Sequence, residues 1–466
     1  MNKFYLLGVF GNRALAIVNL LLLTFLLSPS DFGLFSLTAT NVLLINIVLS
    51  WWISSAAYKY LTIQNEEMLN KYISTMAACT LAAISISIAL LIAVGARYEL
   101  GLLQVVILCV WAVMLLLFDI TLAANNALGR AQSYATFSLI RNFTVLGVTV
   151  SLVLAGFGVT GAMIGQALGT LAPFILIPAA NRFWGASRLD RMSLSAAKEM
   201  LAFGISGALV LGLYMLTQGF VRNAIEAKLD AAAAGQFALA LDLLNAPLML
   251  FGAAFSLSRM RALYQTQALG DPNLMLVEAR RFIETYILFA VPYALTGVIV
   301  APDLIALFVG PQMVDGVKSV AQAATVQAGA IQVLGALLTA MLVFDHRWRV
   351  IAIILSLAGT NFLAVWLMPP ASLVHLAWSS TAVIAAFALT GLAICIFGKS
   401  KIIGLMTLAR ILFAAALCAS ACWSWFHLLP FHEPVSATAV GLMVFLLTAK
   451  LVGVLDWNDL WERPSS

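Results

Sequence analysis

Apolar runs of about 20 residues follow one another along the whole of this chain, and each is long enough to cross a bilayer as a helix. Backbone groups in hydrocarbon have to pair within their own segment, so the spans are predicted to be helices. The strands of a membrane barrel would alternate polar and apolar residues, and this chain does not. Composition points the same way. The 466 residues are 63% hydrophobic and 10% charged, with a mean hydropathy of +1.01. A soluble domain carries about 25% charged residues, so this chain has too few charges to coat a globule. The predicted fold class is an all-α integral membrane protein. Fourteen spans are expected, at about 8–27, 33–57, 73–95, 102–124, 135–156, 161–180, 201–221, 235–256, 281–301, 319–342, 350–367, 371–397, 403–426 and 434–454.

Charge placement sets the topology. With the N-terminus inside, only Arg97, Arg222, Lys228 and Lys318 fall in outer loops, and Arg13, Arg141 and Arg410 fall within spans. The rest of the 25 Lys and Arg lie in inner segments. Cytoplasmic loops of membrane proteins carry the excess of basic residues, so both termini are expected in the cytoplasm of a cell inner (plasma) membrane protein. The net charge of +5 is therefore a topology signal, and no nucleic-acid partner is expected. The N-terminal apolar run is read as a retained first helix, because it is too long for a signal peptide and shows no small-residue cleavage site.

The outer turns are bare: Ser28–Phe32, Phe157–Thr160 and Met368–Pro370. The longer connections are basic and inner. They suggest an N-lobe at 1–180, a linker at 181–200, a C-lobe at 201–397, and a C-terminal helix pair with tail at 398–466. An internal repeat supports that division. Phe10-Gly11 opens the first span and Phe203-Gly204 the seventh. Asp31-Phe32-Gly33 opens the second and Ala233-Ala234-Gly235 the eighth. Gly129-Arg130 precedes the fifth span and Asp345-His346-Arg347 the eleventh. Six spans separate the copies, so they are parallel repeats about an axis along the membrane normal.

Ionisable groups inside a membrane are costly and point to function. Arg13 lies about 7–8 Å into the first span at 1.5 Å per residue, where it either snorkels to the inner headgroups or faces a lumen. In the fifth span, Tyr134, Ser138, Arg141, Asn142, Val145 and Thr149 form one largely polar face, which favours a lumen-facing Arg141. Arg410 has no polar stripe and is read as snorkelling. Asp119 and Asp242 are intramembrane acids with two roles open: an ion pair with a buried arginine, or a coupling proton. The amides Asn46, Gln166, Gln218 and Gln327 join Arg13, Arg141 and Asn142 as candidate substrate-binding residues. Pro173, Pro178, Pro247 and Pro292 mark bends suited to gating.

No catalytic constellation is legible. There is no P-loop and no HExxH, and the outer side lacks paired acids. The four histidines are not placed as bases. The five cysteines all lie in apolar runs, as packing residues. No metal site and no cofactor are expected.

Several short motifs resemble one family. The turn Leu26-Leu27-Ser28-Pro29-Ser30-Asp31-Phe32-Gly33-Leu34-Phe35, the loop Ala127-Leu128-Gly129-Arg130-Ala131-Gln132-Ser133-Tyr134-Ala135 and the segment Lys198-Glu199-Met200-Leu201-Ala202-Phe203-Gly204 resemble the polysaccharide transporter family. These are Wzx-type flippases of the multidrug/oligosaccharidyl-lipid/polysaccharide (MOP) superfamily. The resemblance implies two six-helix lobes in a V with a cavity open to each side in turn. It implies an undecaprenyl-pyrophosphate-linked oligosaccharide as cargo, and polysaccharide polymerase and export machinery as partners besides the bilayer. It also implies that cavity cations, here Arg13 and Arg141, meet the anionic head. The chain departs from a symmetric basic cavity in having only Arg222 as a second-lobe candidate. The rivals are a cation-coupled multidrug exporter of the same superfamily and a membrane glycan polymerase or ligase. The first would want first-lobe acids, and the second a catalytic outer loop.

Overall fold

The computed structural model describes residues 3–61, 65–177, 184–185, 187–188, 191–269, 271–344, 346–369, 372–397, 403–428 and 434–451. Among them the chain forms fourteen helices, which bears out the all-helical membrane architecture. They are α1 (Lys3–Leu26), α2 (Pro29–Tyr60), α3 (Glu66–Arg97), α4 (Leu102–Ala127), α5 (Ala131–Leu152), α6 (Gly158–Leu176), α7 (Leu194–Lys228), α8 (Ala231–Leu269), α9 (Pro272–Ala306), α10 (Val314–Val343), α11 (Arg347–Leu367), α12 (Leu373–Phe397), α13 (Leu405–Leu428) and α14 (Pro434–Leu451). Ten stretches among the described residues are long and apolar enough to cross a membrane, with α5 and α6 counted as one. The protein is a multi-pass membrane protein.

Helix ends follow local chemistry. Ser28 caps α2, accepting from the backbone N–H of Asp31 at 3.2 Å, with Pro29 in the first turn, where its missing N–H costs nothing. Asp230 does the same for α8, accepting from the N–H of Ala233 at 2.7 Å. The two caps occupy equivalent places in the sequence repeat, five residues before Gly33 and Gly235. Asn65 caps α3, and Asp271 caps α9 ahead of Pro272.

Several boundaries move from the sequence expectation. Helices α1 and α5 begin at Lys3 and Ala131, several residues earlier than the apolar runs suggest. Each helix thus takes in polar residues that hydropathy alone leaves outside. The fifth span ends earlier too. A π-helical turn at Val153–Phe157 joins α5 to α6, with Gly156 at φ 90° and Gly158 at φ 51°. Side chains rarely adopt that conformation and glycine adopts it freely. Helix α7 begins at Leu194, inside the segment expected as a linker, and Pro178 lies outside the described residues. Helices α7, α8 and α9 have 35, 39 and 35 residues. At 1.5 Å per residue they run about 50–60 Å, beyond a hydrocarbon core of about 30 Å.

The chain divides into two compact units, Met1–Asn223 with Asp230–Gly235, and Ala224–Leu229 with Gln236–Ser466. Most of α7 therefore belongs by contact with α1–α6. In the first unit α5 packs on α6 and α1, and α4 on α2, α3 and α6. Trp184, Arg188 and Ser193 are held against α3 and α4. Trp184 Nε1 donates to Thr121 Oγ1 at 2.9 Å, and the N–H groups of Arg188 and Ser193 donate to Ser74 and Thr75. In the second unit α10 packs on α9 and α12, and α13 and α14 pack on α9. One apolar core there runs from Leu263 through Phe282, Leu337 and Ile411 to Phe445. The last helix pair is thus built into this unit.

Glycines set the closest approaches. On α6, Gly161, Gly165 and Gly169 stand four residues apart and face α5. A Cβ on Gly165 would lie 2.8 Å from Thr149 Cα, and one on Gly169 would lie 2.7 Å from Val145 N. Small residues at this spacing let membrane helices meet backbone to backbone. Gly165→Ala should therefore cost roughly 1–3 kcal/mol through overpacking. Gly147→Ala, on an exposed face of α5 with nothing within 4 Å of the new Cβ, should be neutral or gain up to about 1 kcal/mol. Thermal unfolding of the two purified variants in detergent checks the contrast.

Candidate functional site

In the first unit, four helices bring polar groups to one place. Helix α4 supplies Asp119, α2 supplies Asn46, α5 supplies Arg141 and α6 supplies Thr170. The amide Nδ2 of Asn46 donates to Asp119 Oδ2 at 2.6 Å. Ser50, one turn on, donates to the Asn46 carbonyl at 2.8 Å and to its Oδ1 at 3.0 Å, fixing the amide orientation. Arg141 Nε donates to Thr170 Oγ1 at 3.4 Å, and the guanidinium lies 5.0 Å above the Phe118 ring. The charges of Asp119 and Arg141 act on each other. Phe118 stacks on Phe137 at 5.0 Å, and Phe137 meets Phe174 edge-on at 5.2 Å.

The arrangement has a plain electrostatic sense. An isolated guanidinium in hydrocarbon is costly. Here a carboxylate offsets its charge and an aromatic face attracts the cation. Arg141 is the eleventh of 22 residues in α5, so it lies about 15 Å along the helix, deeper than the apolar run implied. It is half-buried. Among the described residues, its Nη atoms make no hydrogen bond. A guanidinium has five N–H donors in a planar fork, and two parallel donors match a carboxylate or phosphate.

The other candidates are placed differently. Arg13 is also an eleventh residue, in α1, on an exposed face. Asn142 is buried and donates to the Ser138 carbonyl of its own helix at 3.2 Å. The polar stripe on α5 is an interhelical seam in its later half, since Val145 and Thr149 are buried against the α6 glycines. Gln166 lies one turn before Thr170, whose hydroxyl donates to the Gln166 carbonyl at 2.7 Å. Gln218 is buried in α7. Gln327 belongs to the second unit, where its amide bridges α10 to α12. Its Nε2 donates to Ser380 Oγ at 3.2 Å, and its Oε1 accepts from Thr381 Oγ1 at 3.2 Å. Asp242 is half-buried on α8, also in the second unit. Asp119 lies close to the candidate Arg141. Sequence reading missed Phe118, Ser50 and Thr170. The signal available for Thr170 was the Gly161–Gly165–Gly169 spacing, which announces a close α5–α6 contact. No group of three or more metal-ligating side chains occurs among the described residues.

Residues 3–259 match the polysaccharide biosynthesis protein family. The chain belongs to that family. Membership bears out the resemblance carried by the turn at 26–35. No curated protein matches this chain. Among solved structures, the inward closed conformation of the lipid II flippase MurJ is similar at a TM-score of 0.74. Identity is 14%, over 99% of this chain and 100% of that one. An inward-facing multidrug resistance MATE family transporter of the MOP superfamily is similar at a TM-score of 0.60. Identity is 14%, over 84% of this chain and 94% of that one. At such identities the likeness is one of fold, and this family member has the fold of MOP transporters.

The Asp119–Arg141 pairing predicts non-additive stability. Asp119→Asn leaves the guanidinium uncompensated, and Arg141→Gln leaves the carboxylate so. The double variant should retain about 0.5–3 kcal/mol more stability than the sum of the two losses implies. Detergent unfolding of the four proteins measures this. Strict additivity would show the two charges to be independent.

Proposed function

We propose that the protein is a flippase, moving an undecaprenyl-pyrophosphate-linked oligosaccharide from the cytoplasmic to the outer leaflet of the inner membrane by alternating access. It would serve the synthesis of a cell-surface polysaccharide, and no catalytic chemistry is assigned to it. Arg141 carries this reading: a mid-helix guanidinium, held by Phe118 and Thr170, with donors suited to phosphate oxygens, in a member of the polysaccharide biosynthesis protein family. Polar sugars and a pyrophosphate cannot enter hydrocarbon unaided, because losing hydration costs several kcal/mol per polar group. In this reading the Asp119 carboxylate balances Arg141 while no cargo is present, and an arriving phosphate competes for the same guanidinium. Arg13 is the second cationic contact. An anion moving outward runs down an inside-negative potential, at about 2.3 kcal/mol per charge per 100 mV. Flipping therefore proceeds without a tightly coupled counter-ion.

The multidrug exporter reading has one observation in its favour, a first-unit acid in Asp119. Deletion separates the readings. Loss of a flippase leaves lipid-linked oligosaccharide on the cytoplasmic leaflet, whereas loss of a drug exporter leaves its distribution unchanged.

Two outcomes are expected. Arg141→Ala should lower surface-polysaccharide export more than about tenfold, the value of a charge-assisted phosphate contact, while Arg410→Ala, on an exposed face of α13, leaves export intact. Equal tolerance of the two would remove Arg141 from the cargo path. In proteoliposomes with the potential clamped, collapsing a proton or sodium gradient should leave flipping unchanged. Arrest would show obligatory ion coupling.

A further inference from the structure

Within the first unit, α7 lies along α2 in a seam of unusual closeness. A Cβ on Gly204 would lie 2.8 Å from the Trp52 carbonyl carbon, one on Gly212 2.8 Å from Ile47 Cγ2, and one on Gly219 2.8 Å from Leu44 Cγ. Three glycines, each about two turns from the next, thus meet α2 at points along its length. Toward the end that the charge pattern assigns to the outer side, the seam becomes polar. Tyr98, at the C-terminus of α3, donates its hydroxyl to Asn223 Oδ1 at 2.6 Å. Asn223 Nδ2 donates to Asn41 Oδ1 at 3.5 Å, and Asn41 Nδ2 donates to Tyr98 Oη at 3.4 Å. Three helices are closed by a ring of three hydrogen bonds. Beside the ring, Arg222 Nη1 donates to Thr40 Oγ1 at 2.9 Å.

One turn before Arg222, on the same face of α7, stands Gln218. It is 1% exposed, and among the described residues neither its Oε1 nor its Nε2 has a hydrogen-bond partner. Buried amides are ordinarily paired, and each exception asks for an explanation. No nearby structural need explains this one, since glycine contacts and the ring already hold the seam. An amide kept dry and unpaired in one state is satisfied in another where the seam has parted.

We propose that the α2–α7 seam is a latch over a second polar station, in which Gln218 and Arg222 take a sugar hydroxyl and a phosphate oxygen of the cargo once the Tyr98–Asn223–Asn41 ring opens. The proposal rests on the flippase reading and deepens it. The ring of neutral hydrogen bonds sets how often the seam opens without cargo. The unmet amide and the adjacent guanidinium give an anionic glycan head a differential affinity for the open state, and only such a difference shifts a conformational equilibrium.

The test uses full-length protein in proteoliposomes, with the five native cysteines replaced by alanine. The probe is a fluorescent short-chain polyprenyl diphosphate disaccharide. The label is a membrane-impermeant charged maleimide on the outer side. Gln218→Cys should label slowly at rest and about tenfold faster with probe, and Tyr98→Phe should raise its resting rate up to about tenfold, as expected for one lost half-buried hydrogen-bonding hydroxyl. Ala112→Cys, equally buried in α4, reports the background. Gln218→Leu, in otherwise wild-type protein, should slow probe movement about tenfold. Labelling of Gln218→Cys that tracks Ala112→Cys in every condition overturns the latch. Unchanged probe movement by Gln218→Leu overturns the station. Wild-type protein that moves no probe overturns the transport reading, and the role of Gln218 falls with it. Wild-type movement with Gln218→Cys unlabelled overturns the latch alone.

Discussion

A positive charge halfway along a membrane helix has to be compensated, and much of the first unit is arranged around meeting that need for Arg141. The carboxylate of Asp119 comes from α4, and the amide of Asn46, on α2, holds that carboxylate at 2.6 Å. The ring of Phe118 lies under the guanidinium, and Thr170 of α6 takes its Nε–H. These contacts engage four helices at one depth. A charge pair of this kind contributes little net stability by itself, because desolvation offsets most of the attraction. Its effect is on register, since sliding α4 or α5 by a turn would part the two charges, and sliding α2 or α6 would break the hydrogen bonds that Asn46 and Thr170 make to them. A compensated guanidinium with donors to spare is also a site that an anion can enter by exchange.

Close helix contacts make that arrangement attainable. Lipid tails are as apolar as leucine, so membrane helices associate through packing and hydrogen bonds more than through apolar burial. The Gly161–Gly165–Gly169 face of α6 lets its backbone reach α5, which brings Thr170 within reach of Arg141. The glycines of α7 do the same against α2 and leave room for the hydrogen-bonded ring of Tyr98, Asn223 and Asn41. The first seam carries Arg141 and its bond to Thr170, and the second carries neutral groups and a buried guanidinium near its end. Neutral rings are weaker and exchange more readily, so a moving contact is better built from them.

Much of this was legible in the chain. Apolar run length placed fourteen helices, but α2 and α9 begin at Pro29 and Pro272, ahead of the runs expected from about 33 and 281, because capping by Ser28 and Asp271 extends them beyond the apolar stretch. The repeat pairing of Gly33 with Gly235 reappears in equivalent caps at Ser28 and Asp230. Arg141 and Asp119 stood out because ionisable residues are rare in such runs. Their pairing was not legible, because they lie on different helices and nothing in spacing says which faces meet. The stripe Ser138–Asn142–Val145–Thr149 looked like a lumen lining. Its later half is a packing seam, because polar residues on a membrane helix serve contact with a neighbour as readily as contact with water. Gln327 likewise looked like a ligand group and is engaged with Ser380 and Thr381.

The sequence alone determined that the chain is helical, that it crosses a membrane many times and which ionisable residues stand inside the apolar runs, since these follow from hydration and backbone pairing, which act residue by residue. Tertiary structure alone decided that Asp119 stands near Arg141, that α7 joins the first unit by contact, and that Gln218 is enclosed without a hydrogen-bond partner among the described residues. Those outcomes depend on which helix faces meet and how closely, a property of packing among distant segments that no local pattern encodes.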